Sequence, residues 1–211
     1  MENKKIENFK NDLEIKMQLQ AISSNILLSK CRLIDEISRK SGQYQDPFYL
    51  PFYYHFSKFI NPKSIMQVGL YLGLPLCCFL QGNRNIERLF CFQNKNDKQY
   101  YSEKLAFSNI KDILKNVDTS YYCGSLFDVD FQNKVELNWD LVLINEENIN
   151  IDYLNSVLDI SWKFTNLNGF IVVDKVKSDK NVKTCFLNFC KINNRDPVMI
   201  NTRYGTGIIQ R

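Results

Sequence analysis

The sequence predicts an α/β fold: a doubly wound, mostly parallel sheet of seven strands that ends in a C-terminal antiparallel hairpin, preceded by an N-terminal helical extension. From residue 64 onward, short apolar segments alternate with helical ones, and such alternation builds a parallel sheet through right-handed crossovers. The last segment, PVMINTRYGTGIIQR, instead holds two short apolar runs joined by a tight turn, which is typical of a hairpin.

The composition fits one large domain, or one domain with an extension. The chain has 211 residues, of which 45% are hydrophobic and 13% aromatic, enough to bury a sizeable core. Its 27 basic and 23 acidic residues give a net charge of +4. We expect no nucleic-acid partner, since such partners usually require basic residues clustered on one face.

Cysteine usage and the N-terminus favour a reducing compartment. The seven cysteines are an odd number without C-x-x-C spacing, and most lie in apolar runs, where thiols pack as small core residues. The charged start MENKKIENFK is unlike a secretory leader, and no apolar run reaches the roughly 18 residues of a membrane span. We expect a cytoplasmic protein without membrane contact, or part of an assembly formed in the cytoplasm.

The single histidine, His55, limits the possible catalytic sites. A Ser-His-Asp, Cys-His or histidine-rich zinc site would need this residue. It lies among aromatic residues in FYLPFYYHFSKF, which is typical of a packing histidine. The aromatic residues between Tyr44 and Phe59 have helical spacing, which favours packing against a sheet, with a contact surface as the alternative.

Residues 1–43 are predicted to form a helical arm ahead of a domain that spans residues 44–211. Apolar residues recur in the arm at intervals of three and four, which indicates an amphipathic helix or a pair of helices. The apolar stripe either packs on the chain's own domain or binds a protein partner or a second copy. The interaction hypothesis rests on Phe9, Leu13, Met17, Leu28 and Ile34.

Strands and helices follow one another in order along the domain. The predicted strands are short and apolar: Ser64–Val68, Arg88–Phe92, Thr119–Cys123, Trp139–Ile144, Phe170–Val173, Val198–Asn201 and Gly207–Gln210. The predicted helices are Leu74–Gln81, Asp97–Lys115, a short piece after Ser125, Ile151–Phe164 and one near Lys183–Asn193.

Two glycines four residues apart, Gly69 and Gly73, follow the first strand in VGLYLGLP. In doubly wound sheets, ligands bind beyond the carboxyl ends of the strands, where the strand order reverses. Glycines at this point let the backbone approach both a ligand and the next helix closely.

The order of these segments resembles the class I S-adenosylmethionine (SAM)-dependent methyltransferases, nearest their small-molecule O-methyltransferase branch. The resemblance covers residues 48–211 and rests on SIMQVGLYLG, YYCGSLFD, NWDLVLINEE, FTNLNGFIVVDKV and YGTGIIQR. It implies a methyltransferase-like Rossmann domain. It also implies cofactor-binding positions at Gly69, Tyr71, Gly73, Gln93, Ser125 and Asn145.

Three polar positions depart from the pattern that the resemblance implies. The family has an acid two residues before the first glycine and a carboxylate at the end of strand two, where this chain has Gln67 and Gln93. An amide accepts through one uncharged oxygen, so it binds two ribose hydroxyls less well than a carboxylate. Pro75, with neither hydroxyl nor N–H, stands where the family often has a small hydroxyl residue. Each loss weakens binding by on the order of 1–2 kcal/mol.

The metal site of the family's metal-dependent members is predicted to be lost. The matching positions here are Asn145, Asp174 and Lys175, and magnesium prefers oxygen ligands to an ammonium. Lys175 is predicted to pair with Asp174. The neighbouring Glu146 and Glu147 are the candidate substitutes.

We therefore expect no catalytic residue, no metal and no cofactor. The chain is predicted to be a methyltransferase-like domain that has lost catalysis and serves as a structural or interaction module, for example in a viral particle. The lysine-rich residues 174–183 are predicted to form a solvated loop, with an acidic partner as the alternative. Two other functions stay open: an active SAM-dependent methyltransferase on a small molecule or sugar, and a nucleotide-binding protein that uses the same crevice.

Overall fold

The computed structural model describes residues 49–70, 73–94, 110, 114–135, 138–146, 150–202 and 204–211. Most of the helix predicted at Asp97–Lys115 lies outside the described residues. The helical arm predicted at residues 1–43 also lies outside them, and so does its apolar stripe of Phe9, Leu13, Met17, Leu28 and Ile34.

Seven strands form one sheet. They are β1 (Ser64–Val68), β2 (Arg88–Asn94), β3 (Asp118–Gly124), β4 (Trp139–Ile144), β5 (Thr165–Val173), β6 (Val198–Ile200) and β7 (Thr206–Gln210). Their order is β3-β2-β1-β4-β5-β7-β6. The first five strands pair in parallel, and β7 pairs antiparallel with both β5 and β6. The doubly wound sheet and its C-terminal hairpin are therefore confirmed.

Five longer helices lie in the described part of the chain: α1 (Tyr49–Ile60), α2 (Leu74–Gly82), α3 (Val129–Lys134), α4 (Ile151–Phe164) and α5 (Lys180–Ile192). Side-chain caps start α4 and α5, because Asn150 and Asp179 each accept a hydrogen bond from a main-chain N–H of the first turn. The Asp179 cap explains why α5 begins before the predicted Lys183. Among the described residues, no helix has the length and apolar character needed to cross a membrane.

Helices cover the sheet on both faces, which is why its central strands are mainly apolar. α1 and α2 pack on one face, where the rings of Phe56 and Phe170 lie edge to face with centroids 5.7 Å apart. α3, α4 and α5 pack on the other face. The predicted packing role is confirmed for the aromatic residues of α1 that are buried: Tyr49, Phe52, Tyr53, Tyr54 and Phe56.

α1 and α2 are in close contact. A Cβ atom at Gly82 would lie 2.3 Å from the main-chain oxygen of Tyr54. The hydroxyl of Ser57 donates to the carbonyl of Phe79 over 2.7 Å. These contacts fix α1 against the helix that begins at the glycine turn, and so fix it relative to the carboxyl edge of the sheet.

Strand β5 begins earlier than predicted. The segment NLNG predicts a turn before a strand at Phe170, whereas the strand begins at Thr165, directly after α4. Asn168 has a positive φ of 69°. Its main-chain N–H donates to the carbonyl of Arg211, and the N–H of Arg211 donates to Gly169, both over 2.9 Å. Pairing with the C-terminal residue therefore extends the strand through a segment with turn-forming residues.

Cysteine and histidine side chains pack in the interior, as predicted. The six cysteines among the described residues are free thiols, and Cys123 is the one that is not buried. His55 is 6% exposed and lies edge to face with the ring of Tyr54, with centroids 5.0 Å apart.

Candidate functional site

The strand order reverses between β1 and β4, so the carboxyl ends of these strands border the crevice where doubly wound sheets bind ligands. The main-chain ladder continues one residue past the strands here. The amides of Gly69, Asn145 and Asp174 each donate to a carbonyl of the neighbouring strand over 2.9 Å. These three residues and Gln93 of β2 therefore lie side by side along the edge of the sheet.

The glycine turn has the backbone shape that was predicted. Gly69 and Gly73 adopt φ values of 76° and 73°, which favour glycine. A Cβ atom at Gly69 would lie 2.5 Å from the main-chain oxygen of Asn145. Gly73 precedes α2 in the left-handed conformation, which favours glycine. Tyr71, between them, lies outside the described residues.

Two glutamines form hydrogen bonds with the glycine turn. They stand at positions where the resemblance implies carboxylates. Oε1 of Gln93 accepts a hydrogen bond from the main-chain N–H of Leu70 over 2.9 Å. Nε2 of Gln67 donates to the carbonyl of Gly69 over 2.8 Å. Both glutamines are buried. The oxygen of Gln93 that would bind a cofactor is therefore already used to hold the turn.

Two buried acceptors at this edge have no hydrogen-bond partner in the described structure: Oε1 of Gln67 and Oδ1 of Asn145. Asn145 follows the β4 residue paired with Val68, so it lies opposite Gly69 and on the same face as Gln67. An unpaired buried acceptor costs about 1–3 kcal/mol. A water, or a ligand group with N–H or O–H donors, fits this position. The resemblance placed Asn145 at the carboxyl edge of the sheet, but nothing in the sequence indicated that its oxygen and that of Gln67 would be unpaired.

Asp174, at the carboxyl end of β5, is enclosed by its own chain. It is 1% exposed. Its Oδ2 accepts a hydrogen bond from the hydroxyl of Tyr49 over 2.5 Å, and its Oδ1 accepts one from the main-chain N–H of Lys175 over 2.8 Å. The hydroxyl of Tyr53 interacts with Asp174, Tyr49 and Thr206. Neither tyrosine was given a hydrogen-bonding role from the sequence, which favoured packing for the aromatic residues of α1, with a contact surface as the alternative.

Burial dominates the electrostatics of this cluster. It raises the pKa of Asp174 above the ordinary value, while the hydrogen bond from Tyr49 and the charge of Lys175 act in the opposite direction. Burial and the neighbouring Asp174 raise the pKa of Tyr53 well above the usual range. The structure shows a hydrogen bond from the main-chain N–H of Lys175 to Asp174, and the pairing of the Lys175 side chain with Asp174 stays a prediction.

The positions expected for a metal site carry other contacts. Asn145 presents an amide in place of a carboxylate, and Oε1 of the buried Glu146 accepts a hydrogen bond from the hydroxyl of Tyr153 over 2.8 Å. Glu147 lies outside the described residues. Within the described ranges, no group of three or more His, Cys, Asp or Glu side chains could hold a metal ion.

Ser125 follows β3 and takes part in a local turn. Its main-chain N–H donates to Oδ2 of Asp128 over 2.8 Å, and its hydroxyl oxygen accepts from the N–H of Phe127 over 3.2 Å. Tyr122 also donates to Asp128 over 2.8 Å, and this bond raises the pKa of Tyr122 to about 12. The main-chain N–H and C=O of Ser125 and one acceptor position of its hydroxyl are thus used within the turn.

Several solved structures that are similar to this chain are described as O-methyltransferases. A Staphylococcus aureus protein proposed to be a caffeoyl-CoA O-methyltransferase gives a TM-score of 0.70 at 13% identity, with 93% of this chain and 99% of that one covered. An O-methyltransferase from Bacillus cereus in complex with SAH gives a TM-score of 0.64 at 13% identity, with 94% of this chain and 100% of that chain covered. TomG, an O-methyltransferase from Streptomyces achromogenes in complex with SAM, gives a TM-score of 0.61 at 12% identity, with 87% of this chain and 88% of that chain covered.

The fold is therefore that of the class I SAM-dependent methyltransferases. No protein-family model matches the sequence, and no curated protein matches it with significant similarity. At 12–13% identity the structural likeness establishes the fold, and the activity has to be argued from the site.

Proposed function

We propose that this chain is a methyltransferase-fold domain that has lost methyl transfer and acts as a structural or interaction module. The enclosure of Asp174 carries the proposal, since Tyr49 and Lys175 donate to its two oxygens and the residue is 1% exposed. A catalytic acid or base acts on a group whose heavy atom lies within about 2.6–3.2 Å of it, directly or through one water. Around Asp174, positions at this distance are taken by the hydroxyl of Tyr49 and the main-chain N–H of Lys175.

The crevice fits SAM only in part. The turn at Gly69 allows close backbone approach, and the unpaired oxygens of Gln67 and Asn145 fit the donors of an ammonium group. Gln93 fits two ribose hydroxyls poorly, because its one uncharged oxygen already accepts from Leu70 and keeps a single further acceptor position. A hydrogen bond to a charged group contributes about 1.5–3 kcal/mol, so the absence of a carboxylate here leaves SAM weakly bound.

The variant Gln93→Glu tests this explanation. Glutamate retains one oxygen for the N–H of Leu70 and adds a charged oxygen for a ribose hydroxyl. We expect the affinity for S-adenosylhomocysteine, measured by calorimetry, to rise at least tenfold, or about 1.4 kcal/mol. Gln81→Glu adds the same charge near the end of α2 and should leave the affinity unchanged. Equal affinities for Gln93→Glu and the unmodified protein would contradict the explanation.

An active SAM-dependent methyltransferase is the second candidate. The intact turn at Gly69 and the unpaired oxygens of Gln67 and Asn145 favour it, because together they offer a polar place for a ligand. Bound SAM would supply an electrophilic methyl group, and the chain would have to orient a nucleophile without Asp174. Mass spectrometry of the denatured protein distinguishes the two candidates, since an active enzyme is expected to copurify with SAM or its product.

The interaction role is assigned to residues 1–43, and a viral particle is one setting for it. Leu13→Glu combined with Leu28→Glu places two charges on the predicted apolar stripe of the full chain. We expect this variant to lose the self-association measured by light scattering. Asn11→Glu combined with Gln18→Glu, on the opposite side of the predicted helix, should keep it. An unmodified chain that stays monomeric would exclude self-association.

A further inference from the structure

The exposed apolar side chains lie at two opposite edges of the sheet. Among the described residues, six large apolar side chains are exposed: Phe59, Phe127, Val129, Ile151, Leu167 and Ile192. Phe127 and Val129 lie where α3 begins after β3, and Ile151 is the first residue of α4. Helices that follow parallel strands begin at the carboxyl edge, so these three residues, here called the edge patch, lie there. The other three lie toward the opposite edge, near the end of α1, the start of β5 and the end of α5.

The most exposed part of the edge patch is held in a fixed turn. Phe127 is 66% exposed and Val129 is 72% exposed. Between them, Oδ2 of Asp128 accepts hydrogen bonds from the main-chain N–H of Ser125 and from the hydroxyl of Tyr122, both over 2.8 Å. A turn fixed in this way keeps two neighbouring apolar side chains in contact with water. Grouped apolar exposure is typical of a contact surface, whereas single exposed residues need no explanation.

The N-terminal residues join the domain at the same edge. Tyr49, the first residue of α1, donates its hydroxyl to Asp174, which directly follows β5, so α1 begins at the carboxyl edge. The 48 residues before it contain the predicted apolar stripe. In a helix, Phe9 and Met17 would lie about 12 Å apart. The starts of α3 and α4 follow β3 and β4, which are three strand spacings or about 14 Å apart. A helix laid across the strand ends could therefore contact both ends of the edge patch.

We infer that the edge patch is the docking surface for residues 1–43 of a second copy of this chain, so that two copies exchange their arms. The inference rests on the proposed function, which assigns the interaction role to the arm, and it adds the surface that the arm binds. One chain carries both the stripe and the patch. A two-fold axis therefore buries two stripes and two patches at once, in a closed dimer.

Full-length charge variants test the edge patch by light scattering. Phe127→Glu combined with Val129→Glu places charges on the patch. Each of the two arm contacts should weaken at least tenfold, and the dimer therefore at least a hundredfold. Leu167→Glu combined with Ile192→Glu is the matched control, since these side chains are 79% and 78% exposed at the opposite edge. This control should associate as the unmodified chain does.

Mixing two variants tests which surfaces meet. The Leu13→Glu Leu28→Glu chain keeps its patch, and the Phe127→Glu Val129→Glu chain keeps its arm. Each should be monomeric alone. In the mixture, the intact arm of one chain can bind the intact patch of the other, so sedimentation should show a complex of one copy of each. Adding the patch substitutions to the arm variant should remove that complex.

Other arrangements of the arm give different results. If arms bind arms, the patch variant associates as tightly as the unmodified chain, and the inference is overturned while the proposed function stands. If each arm packs on its own domain, the unmodified chain is monomeric, which overturns the inference and excludes self-association. Equal losses in the patch variant and its control, or a mixture without a complex, also overturn the inference. Thermal unfolding checks that each variant is folded, and Phe127→Ser, with at least tenfold weaker association expected, replaces the patch variant if its Tm falls.

Discussion

Replacing Gly69 with alanine should destabilise the domain by about 2–5 kcal/mol, even though no ligand is involved. The left-handed conformation at φ 76° costs a residue with a Cβ atom about 1–2 kcal/mol. The added Cβ would lie 2.5 Å from the main-chain oxygen of Asn145 and 2.8 Å from its carbonyl carbon. These atoms cannot move aside freely, because the N–H of Asn145 donates to Val68 over 2.9 Å. Such crowding adds about 1–3 kcal/mol.

Urea unfolding followed by tryptophan fluorescence measures the loss. Asn194→Ala is the matched control, since Asn194 is exposed and also has a positive φ, 51°. It should show only the conformational cost of about 1 kcal/mol. A Gly69→Ala protein within about 0.5 kcal/mol of the unmodified one would refute the view that the fold itself requires this glycine.

The remaining predictions concern Asp174. Tyr49→Phe should lower the free energy of unfolding by about 1.5–3 kcal/mol, and Tyr54→Phe on the same helix by clearly less; equal losses would contradict this. Burial raises the pKa of Asp174, which faces Tyr49, Tyr53 and Lys175, so the folded state binds the proton more tightly than the unfolded state. The contribution of Asp174 to stability should then fall as pH rises above about 4. Accordingly, Asp174→Asn should gain stability relative to the unmodified protein between about pH 4 and pH 7, and a constant difference would count against the raised pKa. Magnesium titration should give no saturable heat, and a saturable signal that disappears in Asp174→Ala would show a metal site.

Strand limits were predictable where both faces of a strand are buried. Ser64–Val68 and Trp139–Ile144 match the structure to the residue, because a short and mainly apolar run marks each of them, although Gln67 and Asp140 interrupt these runs. The start of β5 was not predictable. Asn168 and Gly169 form turns by local preference, and it is pairing with Arg211, distant in sequence, that places them in the strand.

The place of the site was predictable, but its hydrogen bonds were not. The rule that parallel strands end at one edge brings Gln93 and Asn145 together without knowledge of any side chain. Gln93 accepts a hydrogen bond from Leu70, and Asp174 accepts one from Tyr49. Both bonds depend on side-chain orientations that are set by the packing of the whole core. A buried tyrosine hydroxyl needs a partner, but this general requirement does not identify Asp174 from the sequence.

Calorimetric titration of the unmodified, full-length protein with S-adenosylhomocysteine measures whether the crevice binds this ligand, which the proposed loss of methyl transfer says it should do only weakly. The amide oxygen of Gln93 is committed to Leu70, and Pro75 offers no donor at the start of α2. We expect a Kd for S-adenosylhomocysteine weaker than about 1 mM, which corresponds to no more than about 4 kcal/mol of binding free energy. A Kd in the low micromolar range, near 8 kcal/mol, would contradict it.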